Sequence, residues 1–117
     1  MASVKVVLAA GSVLTANGPL GYNATPPGAG LSILVNVTAV SGTTPSLVVS
    51  VEWTNDGIAF AQASPADVFP GITAPGATVM RFSQKATGYR VVLAVTGTTP
   101  SFTLGITADV DGGGFVY

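Results

Sequence analysis

The sequence predicts an all-β protein, with residues 1–117 forming a single antiparallel β-sandwich domain of about eight strands. Apolar and other residues alternate with a period of two in four stretches, as expected for strands with one buried face. The 15 Gly and 8 Pro fall mainly between these stretches, and no segment carries an extended helical period. Immunoglobulin-like and jelly-roll-like arrangements both fit this spacing of strands and turns.

The four alternating stretches also predict the core, because every second side chain of a strand points to the same face. The predicted buried positions are Leu31, Ile33, Val35, Val37 and Ala39; Leu47, Val49, Val51 and Trp53; Tyr89, Val91, Leu93 and Val95; and Phe102, Leu104, Ile106 and Ala108. Shorter candidate strands lie at 3–9, 12–16, 58–63, 78–84 and 114–117.

An internal repeat joins the long stretches in pairs. Residues 39–57 align without gaps on residues 94–112, and both copies contain the segment Gly-Thr-Thr-Pro-Ser, at 42–46 and at 97–101. Gly permits turn conformations and Pro restricts φ before the next strand, so each copy predicts a hairpin. Duplication and convergence on a favourable turn both explain the repeat.

The remaining segments are predicted from their turn residues. Asn55-Asp56-Gly57 is typical of a hairpin, and Ser64 followed by Pro65 predicts one helical turn. Residues 17–30, which contain Gly, Pro and Asn without an apolar period, form either a surface crossover or an arm on a neighbouring subunit. Residues 112–117 are a Gly-rich tail that ends in three apolar or aromatic residues.

Composition excludes several classes of function. With no His and no Cys, imidazole and thiolate chemistry are absent, and we expect no enzyme activity and no cofactor or metal site. Four cations are too few for a nucleic-acid interface. The apolar run at 6–10 is shorter than a signal-peptide core, and we expect no membrane partner. A charged fraction of 8%, against roughly 25% in average domains, predicts a partly covered surface.

Three weaker signals have simpler structural explanations. Glu52 and Asp56 near Trp53 are expected to be a solvated strand end, although paired carboxylates also serve glycosidases. Trp53 follows Leu47, Val49 and Val51 on the buried face of its strand and is expected to cap the core, although an aromatic platform for sugar rings remains an alternative. Asp109 and Asp111 resemble the start of a calcium loop that lacks its later ligands, so calcium binding there is left open.

Interfaces with other subunits are predicted where apolar side chains occur in Gly- and Pro-rich segments. The candidates are Tyr22, Pro26 and Pro27 in the arm, and Phe115, Val116 and Tyr117 in the tail. Arg81 and Arg90 are expected to pair with Glu52 or Asp67 within the chain, or with a neighbouring subunit.

A family resemblance covers residues 31–104. Seven features occur in a fixed order along this stretch. They are the strand at 31–40, the first GTTPS, a strand ending in Val51-Glu52-Trp53, then Asp56-Gly57, Pro65-Ala66-Asp67, Tyr89-Arg90, and the second GTTPS followed by Phe102. This order resembles the head decoration and minor capsid proteins of tailed bacteriophages.

The resemblance implies a virion structural protein at the capsid surface, which binds the lattice of the major capsid protein and stabilises the shell. Such proteins usually act as homo-oligomers at local symmetry points, so a trimer is favoured. A tail or baseplate component is the alternative within the same particle. A carbohydrate-binding or adhesion module that uses Trp53 is the alternative from another class.

Overall fold

Seven strands form one antiparallel sheet in the computed structural model, which describes residues 3–24 and 30–111. The strands are β1 (Ser3–Leu14), β2 (Gly18–Pro19), β3 (Asn23–Ala24), β4 (Gly30–Thr54), β5 (Ala61–Val68), β6 (Gly76–Ser83) and β7 (Gly88–Asp111). This confirms the all-β, antiparallel prediction. Because all the strands belong to one hydrogen-bonded sheet, the two separate sheets of a sandwich and the total strand number stay predictions.

None of the described residues lies in a helix, so these ranges contain no helix that could cross a membrane. The helical turn predicted at 64–67 is wrong. These residues belong to β5, in which residues 63–66 bulge out between the pairs Val51 with Asp67 and Glu52 with Gln62. Pairing at both ends draws the segment into an edge strand, where a proline without an N–H group is tolerated.

The sheet is built on a long ribbon of two strands. β4 and β7 pair antiparallel from Gly30 opposite Asp111 to Thr54 opposite Gly88. On one half of the ribbon β6 and β1 flank residues 30–40 and 102–111, which we call the first half-sheet. On the other half β5, β2 and β3 flank residues 46–54 and 88–96, which we call the second half-sheet.

The ribbon is bent back on itself between the two half-sheets. In a straight strand, Leu31 and Val49 would be roughly 60 Å apart, at about 3.3 Å per residue. However, Phe82, which pairs with Leu31, has its ring centroid 5.9 Å from that of Phe69. The Phe69 N–H in turn donates to the Val49 carbonyl at 2.8 Å. The two half-sheets therefore contribute to one hydrophobic core.

The bend lies at the two Gly-Thr-Thr-Pro-Ser segments, and the prediction that each forms a hairpin is wrong. Residues 31–40 and 47–54 do not pair with each other, because both belong to β4. The two Gly-Thr-Thr-Pro-Ser segments instead lie opposite each other on β4 and β7, with Thr43 paired to Thr98. Gly and Pro produce a kink inside a continuous strand here, because the opposite strand carries the same kink.

The two kinks fit into each other at their glycines. Gly42 and Gly97 have φ of 111° and 121°, in the region that favours glycine. A Cβ added to Gly42 would lie 2.7 Å from the Thr99 carbonyl oxygen, and one on Gly97 would lie 2.8 Å from the Thr44 carbonyl oxygen. Thr44 and Thr99 themselves have φ of 47° and 44°, which is unusual for β-branched residues.

The core agrees closely with the alternation in the sequence. All the predicted core residues of the two β4 stretches and of the two β7 stretches are buried, except Ala39, which is exposed, and Val95, which is half-buried. The register shift between Val37 and Ala39 accounts for the first exception, because a one-residue shift sends the next side chain to the other face. Phe69, Phe82 and Val110 complete the buried set.

Replacing either kink glycine should destabilise the protein strongly. We expect Gly42→Ala and Gly97→Ala each to lower the free energy of unfolding by about 2 kcal/mol or more, because the added Cβ meets opposing backbone and φ is positive. Urea unfolding measures this effect. Gly18→Ala is the matched control, since its φ is not positive and a Cβ there meets nothing within 4 Å. An equal decrease in the free energy of unfolding for all three variants would contradict the close backbone contact between the two kinks.

Candidate functional site

A cleft of about 460 Å³ opens at the end of the second half-sheet. It lies between the loop that joins β4 to β5, the first residues of β5, and the loop that joins β6 to β7. The predicted Asn55-Asp56-Gly57 turn is part of the first loop, so this hairpin is confirmed. The lining residues are Trp53, Thr54, Asn55, Asp56, Ala59, Phe60, Ala61, Gln62, Ala63, Lys85 and Ala86.

Trp53 is fixed in the wall of this cleft by polar contacts at its edge. Its Nε1–H donates to Asp67 Oδ2 at 2.8 Å, and Lys85 Nζ lies 3.0 Å from the same oxygen. The Lys85 ammonium also lies 5.5 Å from the centroid of the indole ring, within range of a cation–π contact. Only 6% of Trp53 is exposed, so the ring offers no free face for a sugar to stack on.

The loop on one side of the cleft is held by Asp56. Its Oδ1 accepts hydrogen bonds from the N–H groups of Ile58 and Ala59 at 2.8 and 2.9 Å, and from the Thr54 hydroxyl at 3.1 Å. The Ala59 bond, then the Ile58 bond, lowers the pKa of the Asp56 carboxyl below its usual 3.8, because these donors favour the charged form. The carboxylate predicted as part of a solvated strand end therefore caps a loop.

Phe60, at the end of this loop, lies between two residues that the sequence analysis singled out. Tyr22 packs edge-on against it, with ring centroids 5.8 Å apart, and Arg90 Cζ lies 4.0 Å from its ring centroid. Arg90 forms the predicted ion pair with Glu52 at 2.7 Å. The Tyr22 ring also fills the space beside Gly88 that a Cβ would need. Tyr22 therefore contacts its own chain, although 47% of it is exposed.

The described part of the 17–30 segment follows the edge of β7. The Val95 N–H donates to Asn17 Oδ1 at 2.6 Å, Gly18 pairs with Leu93, and Asn23 pairs with Tyr89. Up to residue 24 the segment therefore lies against its own chain. Pro26 and Pro27, as well as Phe115, Val116 and Tyr117, lie outside the described residues.

A second feature is an apolar row across the outer face of the first half-sheet. Val79 on β6 pairs with Leu34 on β4, Leu34 pairs with Thr107 on β7, and Thr107 pairs with Val7 on β1. Residues directly opposite in neighbouring strands share a face. The exposed fractions are 63% for Val79, 39% for Leu34 and 60% for Val7, so this row faces away from the core.

The rows on either side define this outer face. On one side lie Ala77, Asn36 and Gly105, which are uncharged. On the other side lie Arg81, Ser32 and Asp109, and Arg81 Nη1 donates to Ser32 Oγ at 3.3 Å. Asp109 Oδ1 is buried and has no hydrogen-bond partner among the residues whose side chains are described. The outer face is thus an apolar and neutral patch with charges along one border.

Two surfaces of the described residues are candidates for a functional site: the cleft and the outer face. Within 6–24 and 30–110, whose side chains are described, no three His, Cys, Asp or Glu residues gather where they could hold a metal ion. The side chain of Asp111 lies outside these ranges, so calcium binding at Asp109 and Asp111 stays open. The cleft is concave and has polar groups at its edge, whereas the outer face presents exposed apolar side chains.

The outer face was not anticipated from the sequence, although a signal was present. Leu34 lies in the phase of residues 31–40 that also contains Ser32, Asn36, Thr38 and, at the end of the stretch, Val40. An apolar residue in the solvent phase of a strand indicates either a second buried face or an exposed patch. Comparisons of the chain with family models, with curated proteins and with solved structures find no match.

Removing the charge of Asp56 should weaken the fold in a pH-dependent way. Because the folded-state pKa is lowered, the stabilisation exists above the unfolded value of about 3.8 and is lost as the pH falls through the folded value. We expect urea unfolding at pH 7 to show a lower midpoint for Asp56→Asn than for the wild type. The two midpoints should converge at a pH well below 3.8; a constant difference would contradict a contribution from the charge.

Tyr89, whose ring centroid lies 6.4 Å from that of Trp53, should make the stability of the protein depend on pH in the alkaline range. Its hydroxyl is buried without a hydrogen-bond partner in the described part of the chain, and burial raises the pKa of this hydroxyl from 10 to about 12. Stability is therefore lost as the pH rises above 10. We expect Tyr89→Phe to be as stable as the wild type or about 1 kcal/mol more stable at pH 7. The stability of Tyr89→Phe relative to the wild type, measured by urea unfolding, should increase between pH 10 and 12. The same difference in free energy of unfolding at every pH would contradict this.

Proposed function

We propose that this protein is a non-enzymatic structural protein of a bacteriophage virion, which binds the exterior of the capsid and stabilises the shell. Its partners are the lattice of the major capsid protein and further copies of itself, with a trimer favoured. Its location is the capsid surface. The resemblance of residues 31–104 to decoration and minor capsid proteins supports this proposal.

The observation that carries the proposal is the outer face of the first half-sheet. Val79, Leu34 and Val7 are exposed in one row across four neighbouring strands, and the adjacent row of Ala77, Asn36 and Gly105 carries no charge. Contiguous apolar area on a domain surface marks a site of protein contact. The outer side of a sheet fits a preformed protein surface better than it fits a small ligand, which needs a concave site.

The size of this face supports an oligomer. The outer two of the four strands lie roughly 14 Å apart, and residues 30–40 extend roughly 33 Å, so the face measures roughly 500 Å². This is less than the roughly 800 Å² that each partner contributes to a standard interface. Several linked copies that bind a symmetric lattice together gain affinity without new contacts. A trimer at a three-fold or quasi-three-fold position of the shell would present three such faces at once.

We propose further that the folded sheet acts as the predicted sandwich, with the two half-sheets as its layers. The contact between Phe69 and Phe82 and the single core support this arrangement. One layer would then turn its outer face to the shell, while the outer face of the other layer would point away from the first. In the second layer the outward side chains include Val48, Glu52 and Arg90.

Of the two alternatives, a tail or baseplate component would use the same outer face on another part of the particle. A carbohydrate-binding module would need an exposed aromatic face, and the burial of Trp53 under Lys85 disfavours this alternative. A glycan array with the wild type and Trp53→Ala tests it directly. Binding by the wild type that is lost in the variant would favour the carbohydrate module.

A charge on the outer face should abolish capsid binding. We expect Leu34→Lys to reduce co-sedimentation with phage heads at least tenfold, because binding would bury an unpaired ammonium group. Val48→Lys is the matched control: Val48 is on the same strand and is 37% exposed, against 39% for Leu34, but it lies in the second half-sheet. Urea unfolding of both variants checks that they remain folded.

Two results would overturn the proposal. If the wild-type protein is found only in phage tails, or is absent from purified virions, the capsid function is wrong. If Leu34→Lys and Val48→Lys bind heads as well as the wild type does, the protein binds capsids through another surface.

A further inference from the structure

The edges of the two half-sheets differ in whether another strand can pair with them. Among the described residues, three of the four edges are interrupted: β1 has register shifts after Val7 and after Ala9, β5 has the bulge at 63–66, and the fourth edge of the sheet is split into β2 and β3, of two residues each. Interruptions of this kind keep a sheet edge from pairing with another chain. β6, by contrast, pairs with β4 in unbroken register from Gly76 to Ser83.

The far side of β6 is open to a further strand. None of the described strands other than β4 pairs with β6, and its eight residues contain no proline and one charge, that of Arg81. In an antiparallel sheet, alternate residues of an edge strand direct their N–H and C=O groups away from the sheet. Thr78 lies on the core side of the sheet opposite the fully buried Val35, yet Thr78 itself is exposed.

The side chains of β6 fit a second copy of the same strand. A two-fold axis at Val79 would pair two β6 strands antiparallel, with Val79 opposite Val79 of the second copy. Arg81 of each copy would lie opposite Ala77 of the other, so no like charges would face each other. On the core side, Met80 of each copy would lie opposite the exposed Thr78 of the other. A contact in which both copies use the same surface closes as a pair.

This pairing would also enlarge the outer face of the first half-sheet. An axis perpendicular to the sheet leaves both outer faces on the same side, so the row that ends at Val79 continues into the second copy. The outermost of eight strands are roughly 34 Å apart, and over the roughly 33 Å length of residues 30–40 the joint face measures roughly 1,100 Å². This exceeds the roughly 800 Å² per partner of a standard interface.

We propose that β6 is the strand through which two copies of this protein pair, edge to edge, so that their first half-sheets form one eight-stranded sheet. Backbone hydrogen bonds supply the attraction, and the side chains around Val79 set the register. The contact is two-fold, and a trimer held together by another surface would still carry one such edge per copy. The enlarged face serves the proposed capsid function, whereas the pairing itself does not rest on that function.

Charges placed at the two-fold axis test the pairing. Val79→Lys would put two ammonium groups opposite each other, so we expect analytical ultracentrifugation, at a concentration where the wild type is fully assembled, to find half as many copies per particle. Val79→Glu should have the same effect. An equimolar mixture of the two variants should restore the wild-type size, because opposite charges then face each other. Val7→Lys is the matched control: Val7 lies in the same row and is 60% exposed, against 63% for Val79, but it is on β1, and we expect the wild-type size.

Three results would overturn the proposal. If the wild type is a single copy, or if Val79→Lys and the wild type have the same number of copies, β6 is covered by another protein, by other residues of its own chain or by solvent. If the mixture of Val79→Lys and Val79→Glu stays at half the wild-type size, the copies do not meet at this axis. Urea unfolding checks that the variants are folded. Co-sedimentation of Leu34→Lys with phage heads tests the capsid function separately, so the two proposals can fail independently.

Discussion

The architecture depends on the fit between two identical kinks. β4 and β7 are paired along their whole lengths, and a straight ribbon of that length would leave its apolar face without a second layer to cover it. The kinks fold the ribbon because Gly42 and Gly97 leave room for the opposing backbone. Folding brings both halves of each strand onto one core. The free energy gained by burying that core offsets the unfavourable φ of Thr44 and Thr99.

The same fold separates two surfaces with different properties. At the end where both long strands have their termini, the β4–β5 and β6–β7 loops enclose a cleft with ordered polar groups at its edge, because Asp56 and Asp67 hold their neighbours in place. On the outside of the first half-sheet, the pairing of β6, β4, β7 and β1 aligns apolar side chains into a row. The first surface is concave and polar at its edge, and the second can meet another protein.

Local patterns in the sequence were enough to predict the four alternating stretches and most of the core, because alternation depends only on which face of a strand is buried. The ion pair between Arg90 and Glu52 was also among the expected pairings. Local patterns could not predict whether the chain forms a hairpin or a kink at the Gly-Thr-Thr-Pro-Ser segments, since both structures use the same residues. What decides between them is the matching kink 55 positions later, which is a long-range contact.

The candidate sites were predicted less completely for the same reason. Trp53 was expected in the core from its phase, but its contacts with Asp67 and Lys85 join residues from three separate segments. The apolar row on the outer face likewise depends on the register of four strands, and Leu34 alone gave only a weak sign of it. Scarcity of charge, at 8% of residues, is accounted for in part by this row if a capsid covers it.

Electron cryomicroscopy of virions that carry this protein tests the central claim most directly. The account predicts density for a homo-oligomer on the outside of the head at three-fold or quasi-three-fold positions, with the row of Val79, Leu34 and Val7 turned toward the shell. Density at the tail or baseplate would contradict it, as would density on the head that turns this row toward solvent.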